Sequence, residues 1–272
     1  MRKILLFLFA LGGVGLASLQ GEDVLPNPVT SQQLEALLSK VHYMAPTYQE
    51  MEALKGPYGK LVRLGYLIFT QTTVYAAKYV GDGLECSNCH LDAGKLAYSA
   101  PLWAAYAHYP AYRTKNHQVN SYQQRLQGCF KFSENGTPPP LNSTTLKALE
   151  AYSAWLAKGL PIQTTLPGRG YPELPKLTPD PKEGAVLYQE KCAVCHMPDG
   201  QGQMKNGRYV FPPLWGPHSY NTGAGMHKVS KLAAFIRGNM PLGEPYTITP
   251  QEAWDIAAFV DSHPRPIAKF KP

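Results

Sequence analysis

Two short segments of this 272-residue chain place reactive side chains in the same pattern. They read CSNCH, at residues 86–90, and CAVCH, at residues 192–196. Two thiols separated by two residues and followed at once by a histidine form the C-x-x-C-H pattern of c-type haem attachment. The thiols bond to one porphyrin, and the adjoining histidine lies beneath the iron as its proximal ligand. The sequence therefore predicts two covalently attached haems, held by Cys86, Cys89 and His90 and by Cys192, Cys195 and His196.

Two other uses of paired cysteines compete with this interpretation. A C-x-x-C pair can form a redox-active dithiol, or it can contribute to a zinc site. Neither explains why a histidine directly follows both pairs, in a chain whose N-terminus indicates export to an oxidising compartment. Haem attachment uses both thiols of each pair, so Cys129, the fifth cysteine, has no disulfide partner left.

The second haem needs a ligand on its distal face. Met240 follows His196 by 44 residues and lies in a proline-containing loop between two predicted helices. A thioether favours ferrous iron and raises the reduction potential. His218 is the main rival ligand, and Met240 could instead be an ordinary core residue. The full set of candidates comprises three methionines and two histidines: Met204, Met226, Met240, His218 and His227.

No methionine lies between His90 and Thr164, so the first haem needs a different distal ligand. His108, His117 and Cys129 are the candidates. Cys129 follows His90 by 39 residues, much as Met240 follows His196. A thiolate ligand would stabilise ferric iron and lower the potential. Spacing alone leaves two roles open for Cys129, a distal ligand or an inert buried thiol.

Helix signals frame the second motif. Asp180-Pro181-Lys182-Glu183 and Thr249-Pro250-Gln251-Glu252 both read as helix starts with a capping box. The last helix places an apolar side towards the core, formed by Trp254, Ala257, Ala258 and Val260. The order of helix, motif, loop-rich stretch, short helix and last helix resembles a class I cytochrome c domain. In that family, residues at the positions of Gly184 and Tyr188 pack the first helix against the last.

The first half repeats this plan. A helix is expected over residues 61–80, with Gly65 and Phe69 spaced like Gly184 and Tyr188, and a closing helix over 144–158. The Pro- and Gly-rich residues 161–179 read as a linker. No alternating strand pattern of any length indicates a sheet. We therefore predict an all-α fold of two tandem class I cytochrome c-like domains, residues 22–160 and 180–272, each with one haem.

The N-terminus has the layout of a secretory leader, with cleavage near residue 21. Arg2 and Lys3 precede an apolar run from Ile4 to about Leu19, followed by small and polar residues. The run contains three glycines and is short for a membrane anchor. No later segment is expected to span a membrane. Loss of the leader lowers the formal charge from +7 to +5, which in an exported protein favours small anions or an acidic redox partner over nucleic acid.

Several stretches of the first half are long and idiosyncratic. They comprise Gly65-Tyr66, TVYAAKYVGDGLECSNCHLDAG, SAPLWAAYAHYPAYRTKN and VNSYQQRLQGCFKFSENG. In these the chain resembles the dihaem thiosulfate dehydrogenases, and the likeness extends over most of the mature length. Members of that family are periplasmic and convert two thiosulfate ions to tetrathionate, releasing two electrons; some run mainly in reverse. The resemblance implies the same substrates, with an external electron-transfer protein such as a soluble cytochrome c as acceptor.

The resemblance also assigns ligands by position. It implies that His90 and Cys129 ligate the haem of a catalytic first half, and that His196 and Met240 ligate the haem of an electron-exit second half. In some relatives a lysine beside this methionine binds the oxidised iron. Here the neighbour is Asn239, so we expect Met240 to be the ligand in both oxidation states.

Polar and charged residues surround Cys129 in the sequence. Joining two dianions requires cations and hydrogen-bond donors around the reacting atoms. Arg125 and Cys129 are spaced i,i+4 and would share one face of a helix. We predict a catalytic site in which Cys129 carries a covalent S-thiosulfonate adduct that a second thiosulfate attacks. For each charge, a solvated surface role or pairing with a haem propionate is the alternative. The predicted site residues are Arg113, Lys115, Arg125, Cys129 and Ser133.

Three other functions stay open at this point. A dihaem electron-transfer cytochrome without a substrate would explain both motifs and Met240, but not Cys129 and its basic surroundings. A dihaem peroxidase needs an iron with an open coordination position, and the motifs are unlike that class. A sulfur-oxidation cytochrome would bind sulfur fragments through a cysteine-ligated haem and depend on a partner subunit.

Overall fold

The computed structural model describes residues 29–40 and 43–270, and the predicted leader, residues 1–21, lies outside this part. The described residues are mainly helical. The helices of the first half are α1 (Ser31–Ser39), α2 (Tyr48–Ala53), α3 (Gly56–Thr70), α4 (Thr72–Tyr75), α5 (Cys86–Cys89), α6 (Leu91–Gly94), α7 (Leu102–His108), α8 (Tyr122–Phe132) and α9 (Thr144–Leu156). Those of the second half are α10 (Pro181–Lys191), α11 (Ala193–His196), α12 (Val229–Asn239) and α13 (Pro250–Asp261). None of these helices is long and apolar enough to cross a membrane.

Each half is built on a close crossing of its first long helix with its last. In the first half α3 meets α9 at Gly65, where an added Cβ would lie 2.0 Å from the carbonyl oxygen of Ala148. In the second half α10 meets α13 at Gly184, where an added Cβ would lie 2.0 Å from the carbonyl oxygen of Asp255. Only glycine permits such contact between two backbones. The two halves therefore share one architecture, as the repeated glycine pattern predicts.

An aromatic residue one turn after each glycine completes the crossing. Phe69 packs on Tyr152 with ring centroids 6.0 Å apart, and Tyr188 packs on Phe259 with centroids 5.4 Å apart. The i,i+4 spacing puts each aromatic on the same helix face as its glycine. The glycine sets the distance between the helices, and the aromatic fills the space beside the crossing.

The crossing at Gly184 predicts a large stability effect. We expect Gly184→Ala to lower the free energy of unfolding by about 2–3 kcal/mol, because the new methyl group collides with backbone that cannot rotate away. Thermal unfolding of the holoprotein measures the change. Glu190→Ala is the control, because it is an exposed change on the same helix that adds no group at the crossing. Equal melting temperatures for the two variants would contradict a tight crossing.

The first long helix and the cap of α10 differ from the expected ones. The first long helix was expected over residues 61–80, but α3 begins at Gly56 and ends at Thr70, because Gln71 leaves the helical region at φ −142°. Asp180 caps α10 as expected, accepting from the N–H groups of Lys182 and Glu183. Its own N–H donates to Asp255 on α13 and not to Glu183, so this start is tied to the opposite helix.

The buried side of α13 is also shifted from the expected one. Ala257 and Val260 are buried as expected, but Trp254 and Ala258 are only partly buried. Ala253 and Ile256 take their places in the core.

Two small antiparallel hairpins depart from a purely helical fold. They pair β1 (Ala111–Arg113) with β2 (Gln118–Asn120), and β3 (Gln203–Lys205) with β4 (Arg208–Phe211). Strands of three or four residues are too short to show an alternating pattern, which is why no sequence pattern indicated them. They leave the cytochrome c-like architecture unchanged, but the first hairpin carries residues of the candidate site.

The predicted linker, residues 161–179, has no helix or strand but is held firmly by the first half. The carbonyl oxygens of Gly168 and Gly170 accept hydrogen bonds from the backbone N–H groups of Tyr98 and Ala100, both at 2.7 Å. The second half binds the Tyr98–Ala100 segment as well, since Asn239 donates from Nδ2 to the Tyr98 carbonyl at 3.2 Å.

The two halves pack on each other directly. Leu84 and Phe132 of the first half are buried in the hydrophobic core of the second. Arg208 on β4 forms a salt bridge of 3.0 Å with the buried carboxylate of Glu85. The two halves therefore share an extensive interface. A cavity lined by residues of both halves lies at this interface.

Candidate functional site

A cavity of about 840 Å³ lies between the two halves. Its lining includes all eight site residues that the sequence predicts for the first half, which are Cys86, Cys89, His90, Arg113, Lys115, Arg125, Cys129 and Ser133. Neither His108 nor His117 lines it. The fold thus brings the first attachment motif and Cys129 into one space, although 39 residues separate His90 from Cys129.

The attachment motif is fixed by a capped turn. The Glu85 carboxylate accepts from the Asn88 backbone and the Asn88 side chain accepts from Glu85 N–H, which closes a capping box at α5. The same carboxylate accepts from Thr73 Oγ1 at 2.7 Å and binds Arg208. Thr72 Oγ1 lies 3.4 Å from Cys86 Sγ. The thiols are therefore held in place by groups from both halves.

His90 is prepared to act as a metal ligand. Its Nδ1 lies 2.6 Å from the carbonyl oxygen of Ala100. Because a carbonyl only accepts, Nδ1 carries the proton and Nε2 keeps a free lone pair. Burial lowers the pKa of His90 to about 4, so the ring is neutral at physiological pH. These properties suit a haem ligand.

His196 repeats this arrangement in the second half. It ends α11, and its Nδ1 lies 2.9 Å from the carbonyl oxygen of Pro212. Burial lowers the pKa of His196 as well. Cys192 and Cys195 lie within one turn of it and form no disulfide. The two C-x-x-C-H motifs therefore present the same donor set.

Cys129 lies on α8, which begins with a closed capping box at Ser121. Arg125 is one helical turn earlier, and its Nη1 lies 2.8 Å from Cys129 Sγ. Arg125 is partly buried, and the neighbouring Cys129 raises its pKa. A guanidinium at this distance donates a charge-assisted hydrogen bond to the sulfur. The Cys129 sulfur and the Arg125 guanidinium thus form a hydrogen-bonded pair in the lining of the cavity.

Arg113 and Lys115 bring further positive charge from the β1–β2 hairpin. Lys115 Nζ donates to the Gly223 carbonyl at 2.5 Å and lies 3.9 Å above the Phe132 ring. Burial lowers the pKa of Arg113. None of the salt bridges found in the described residues involves Arg113, Lys115 or Arg125. Cations without carboxylate partners that share a cavity are suited to bind an anion.

The acidic residues of the cavity do not cancel this charge. Glu85 is already paired with Arg208. Glu134, only 3% exposed, follows Ser133 at the end of α8, and burial raises its pKa well above the ordinary value. Burial therefore disfavours its charged form. Ser133 N–H donates to the Cys129 carbonyl at 2.8 Å, and Ser133 lines the same cavity. No sequence pattern indicated Glu134.

For the second centre, the structure separates the five candidates for distal ligand. Met240 ends α12 and is partly buried against the second core. Met204 is 59% exposed on β3, and His218 is also exposed. The other two, Met226 and His227, line the first cavity. Met226 and Met240 both contact the second core, and of these two only Met240 lies outside the lining of the first cavity.

The structure also adds residues to the first cavity that the sequence did not indicate. They come from the linker and from residues 222–231 of the second half, and include Tyr171, Met226, Lys228 and Lys231. Tyr171 donates its hydroxyl to Met226 Sδ at 3.6 Å. Their contact with the first half depends on how the halves pack, so no local motif could have marked them.

The residues present fit a covalently held haem better than the alternatives. Within the described part of the chain, no three or more His, Cys, Asp or Glu side chains are grouped to hold a bare metal ion, which gives a zinc site no support. The first cavity instead combines two free thiols, a neutral histidine and largely apolar walls.

Comparison with known proteins gives the same picture for both halves. Residues 72–162 match the family model described as SoxA/TsdA, cytochrome c domain, and residues 181–264 match the model described as cytochrome c. Both halves are therefore cytochrome c domains, as the repeated plan predicts, which implies binding of c-type haem.

Relatives that span both halves cover most of the sequence. The thiosulfate dehydrogenase of Stutzerimonas stutzeri (strain A1501) is 48% identical over 265 residues, which is 97% of this chain and 85% of the relative. That of Thiomonas intermedia (strain K12) is 56% identical over 211 residues, 77% of this chain and 67% of the relative. A solved structure, thiosulfate dehydrogenase (TsdBA) from Marichromatium purpuratum in its "as isolated" form, superposes with a TM-score of 0.78 at 46% identity. The match covers 82% of this chain and 50% of that longer chain.

Proposed function

The chain belongs to the thiosulfate dehydrogenase family of cytochrome c enzymes, and from that premise we propose that it joins two thiosulfate ions into one tetrathionate ion and releases two electrons. One observation carries the proposal, namely the contact of 2.8 Å between Arg125 Nη1 and Cys129 Sγ inside a cavity lined by further cations. An electron carrier without a substrate has no need of either feature.

The reaction explains why the cavity is basic. Two dianions held 4 Å apart repel each other by about 4 kcal/mol even in bulk water, and by more in a partly dry cavity. Arg113, Lys115 and Arg125 offset this repulsion without carboxylates to compete for them. The Ser133 hydroxyl adds a hydrogen-bond donor beside Cys129. These groups bind and orient the sulfonate ends, so that the two terminal sulfurs can approach.

The ligand roles follow the donor sets. Cys86 and Cys89 would attach the first haem and His90 and Cys129 would bind its iron; Cys192 and Cys195 would attach the second, with His196 and Met240 on its iron. When bound, the haems supply one-electron acceptors that carry the electrons from the catalytic half (22–160), across the 161–179 boundary, to the exit half (180–272) and on to an external protein such as a soluble cytochrome c.

Cys129 has a second role in this proposal. Its sulfur forms a bond with the terminal sulfur of the first thiosulfate, giving a Cys–S–S–SO₃⁻ adduct, and this step releases both electrons. The second thiosulfate then attacks the outer sulfur of that disulfide, the Cys129 thiolate departs, and tetrathionate forms with no further electron change. Arg125 stabilises the thiolate at the start and again when it leaves. Run backwards, the same steps reduce tetrathionate, and the predicted leader would place the enzyme in the periplasm.

A stoichiometric assay tests the function. Purified holoenzyme with thiosulfate and ferricyanide should yield one tetrathionate and two reduced acceptors for every two thiosulfate ions consumed. Tetrathionate with a reduced viologen tests the reverse direction. Haem reduction without tetrathionate formation would leave only an electron-transfer cytochrome.

Lys115 gives the reaction a pH dependence. Burial, and then the neighbouring cations Arg113, Arg125 and Lys228, lower the pKa of Lys115 to about 8, and Cys129 opposes this shift. Lysine attracts thiosulfate only while protonated, and a bound anion raises its pKa in turn. We therefore expect KM for thiosulfate to be constant below about pH 7 and to rise several-fold between about pH 7 and 9.

Steady-state kinetics across this range check the expectation. The control is Lys115→Arg, because a guanidinium keeps its charge throughout. This variant should lose the alkaline rise in KM while keeping activity at neutral pH. An alkaline rise that persists in Lys115→Arg would assign it to another group.

A further inference from the structure

The first cavity has a wall that belongs to the second half of the chain. Residues 222–228 and Lys231 line it together with Arg125 and Cys129 of α8. Lys228 is the N-cap residue of α12, and Lys231 follows it by three residues. Both lysines are exposed, which places them where the cavity meets solvent.

Lys115 connects this wall to the cysteine. Its Nζ is bonded to the carbonyl oxygen of Gly223, five residues before Lys228. It also feels the charges of Arg113, Arg125, Lys228 and Cys129. Lys115 therefore interacts electrostatically both with the other cations of the first half and with Lys228 of the second half.

The charges of the first half do not suffice for two substrates. Two thiosulfate ions bring four negative charges, whereas Arg113, Lys115 and Arg125 bring three positive charges, and Arg125 is already engaged by Cys129. Neither Lys228 nor Lys231 takes part in any salt bridge found among the described residues. Two available cations thus line the same cavity as the sulfur that receives the first thiosulfate.

We propose that Lys228 and Lys231 form a second anion subsite, which binds the sulfonate of the thiosulfate that does not attach to Cys129. The same subsite holds the outer sulfonate of tetrathionate. This inference rests on the proposed function and deepens it, because it makes the substrate site a joint product of both halves. The second half then has a role in recognising substrate besides holding a haem.

The test removes the two charges and leaves the first half unchanged. We expect the double variant Lys228→Gln/Lys231→Gln to raise KM for thiosulfate about tenfold, and each single variant to raise it about threefold. The dissociation constant of tetrathionate, from a spectral titration of oxidised holoenzyme, should rise by a similar factor. Lys182→Gln on α10 is the control, because it removes one exposed positive charge of the second half away from the cavity.

The reduction potential of the first haem separates substrate binding from pairing with a haem propionate. The proposal expects an unchanged potential with a higher KM. A shifted potential with unchanged KM and unchanged tetrathionate affinity would overturn it in favour of propionate pairing. Unchanged values throughout would also overturn it. Wild-type enzyme that forms no tetrathionate would refute the proposed function itself, so the two failures are distinct.

Discussion

Replacement of Cys129 by glycine should lower the rate of thiosulfate oxidation by about 10⁴-fold or more, the scale seen when a covalent nucleophile is removed. Both haems should stay attached, because Cys86, Cys89, Cys192 and Cys195 hold them. Activity is lost because glycine has no sulfur to bond with thiosulfate. Arg125 Nη1, which lies 2.8 Å from Cys129 Sγ, would then have no sulfur to stabilise. Tetrathionate formation measures the loss of activity. The haem absorbance per protein of the purified holoprotein measures haem attachment.

Cys129→Met separates the two roles of the sulfur. A thioether can still bind iron, but it cannot form and release a disulfide bond with thiosulfate. If Cys129 served only as a ligand, Cys129→Met should recover much of the activity that Cys129→Gly loses. If it is the nucleophile, both variants should be equally inactive. Intact-mass analysis of wild-type enzyme after exposure to thiosulfate checks the adduct directly, since no mass increase at Cys129 in either oxidation state would exclude it.

Replacement of Arg125 by glutamine should have the next largest effect, a fall in kcat/KM of about 10²–10³-fold. The guanidinium is partly buried and hydrogen-bonded to the sulfur at 2.8 Å, so its charge acts at short range. Glutamine keeps an N–H donor, but its side chain is shorter and has no charge. We expect the loss to appear mainly in kcat, because the charge is needed when the thiolate attacks and when it departs.

Arg125→Lys is the informative companion. It keeps the charge but loses the planar fork of donors, so an intermediate activity would show that charge contributes most and geometry the rest. Lys147→Gln, an exposed change on α9, controls for the loss of one positive charge. Near-normal kinetics for Arg125→Gln would mean that the bond to Cys129 has no part in the reaction.

Local chemistry made much of this molecule predictable. The C-x-x-C-H motifs are contiguous, and the structure places His90 and His196 with the same free nitrogen. Gly65 and Gly184 marked the helix crossings, because a backbone contact as close as the one at each glycine tolerates no other residue. The i,i+4 spacing of Arg125 and Cys129 put them on one face, and they are in direct contact.

What escaped prediction depends on contacts between distant segments. The break at Gln71 ends α3 ten residues early, and nothing in the local sequence demanded it. The N–H of Asp180 reaches across to Asp255, which no pattern within residues 180–183 reveals. The contribution of Lys228 to the first cavity is decided by the packing of the two halves, which one sequence read segment by segment does not contain.

The stretch from Tyr98 to Ala100 limits how this protein can be recombined. The Ala100 carbonyl orients His90, while the Tyr98 carbonyl accepts the Asn239 amide, one residue before Met240. A chimaera that kept residues 22–160 and borrowed its second half from an unrelated cytochrome would lose the Asn239 anchor together with the wall around Lys228. Such a hybrid could carry two haems and still be a poor enzyme, so the two halves are expected to have diverged as a pair and not as exchangeable modules.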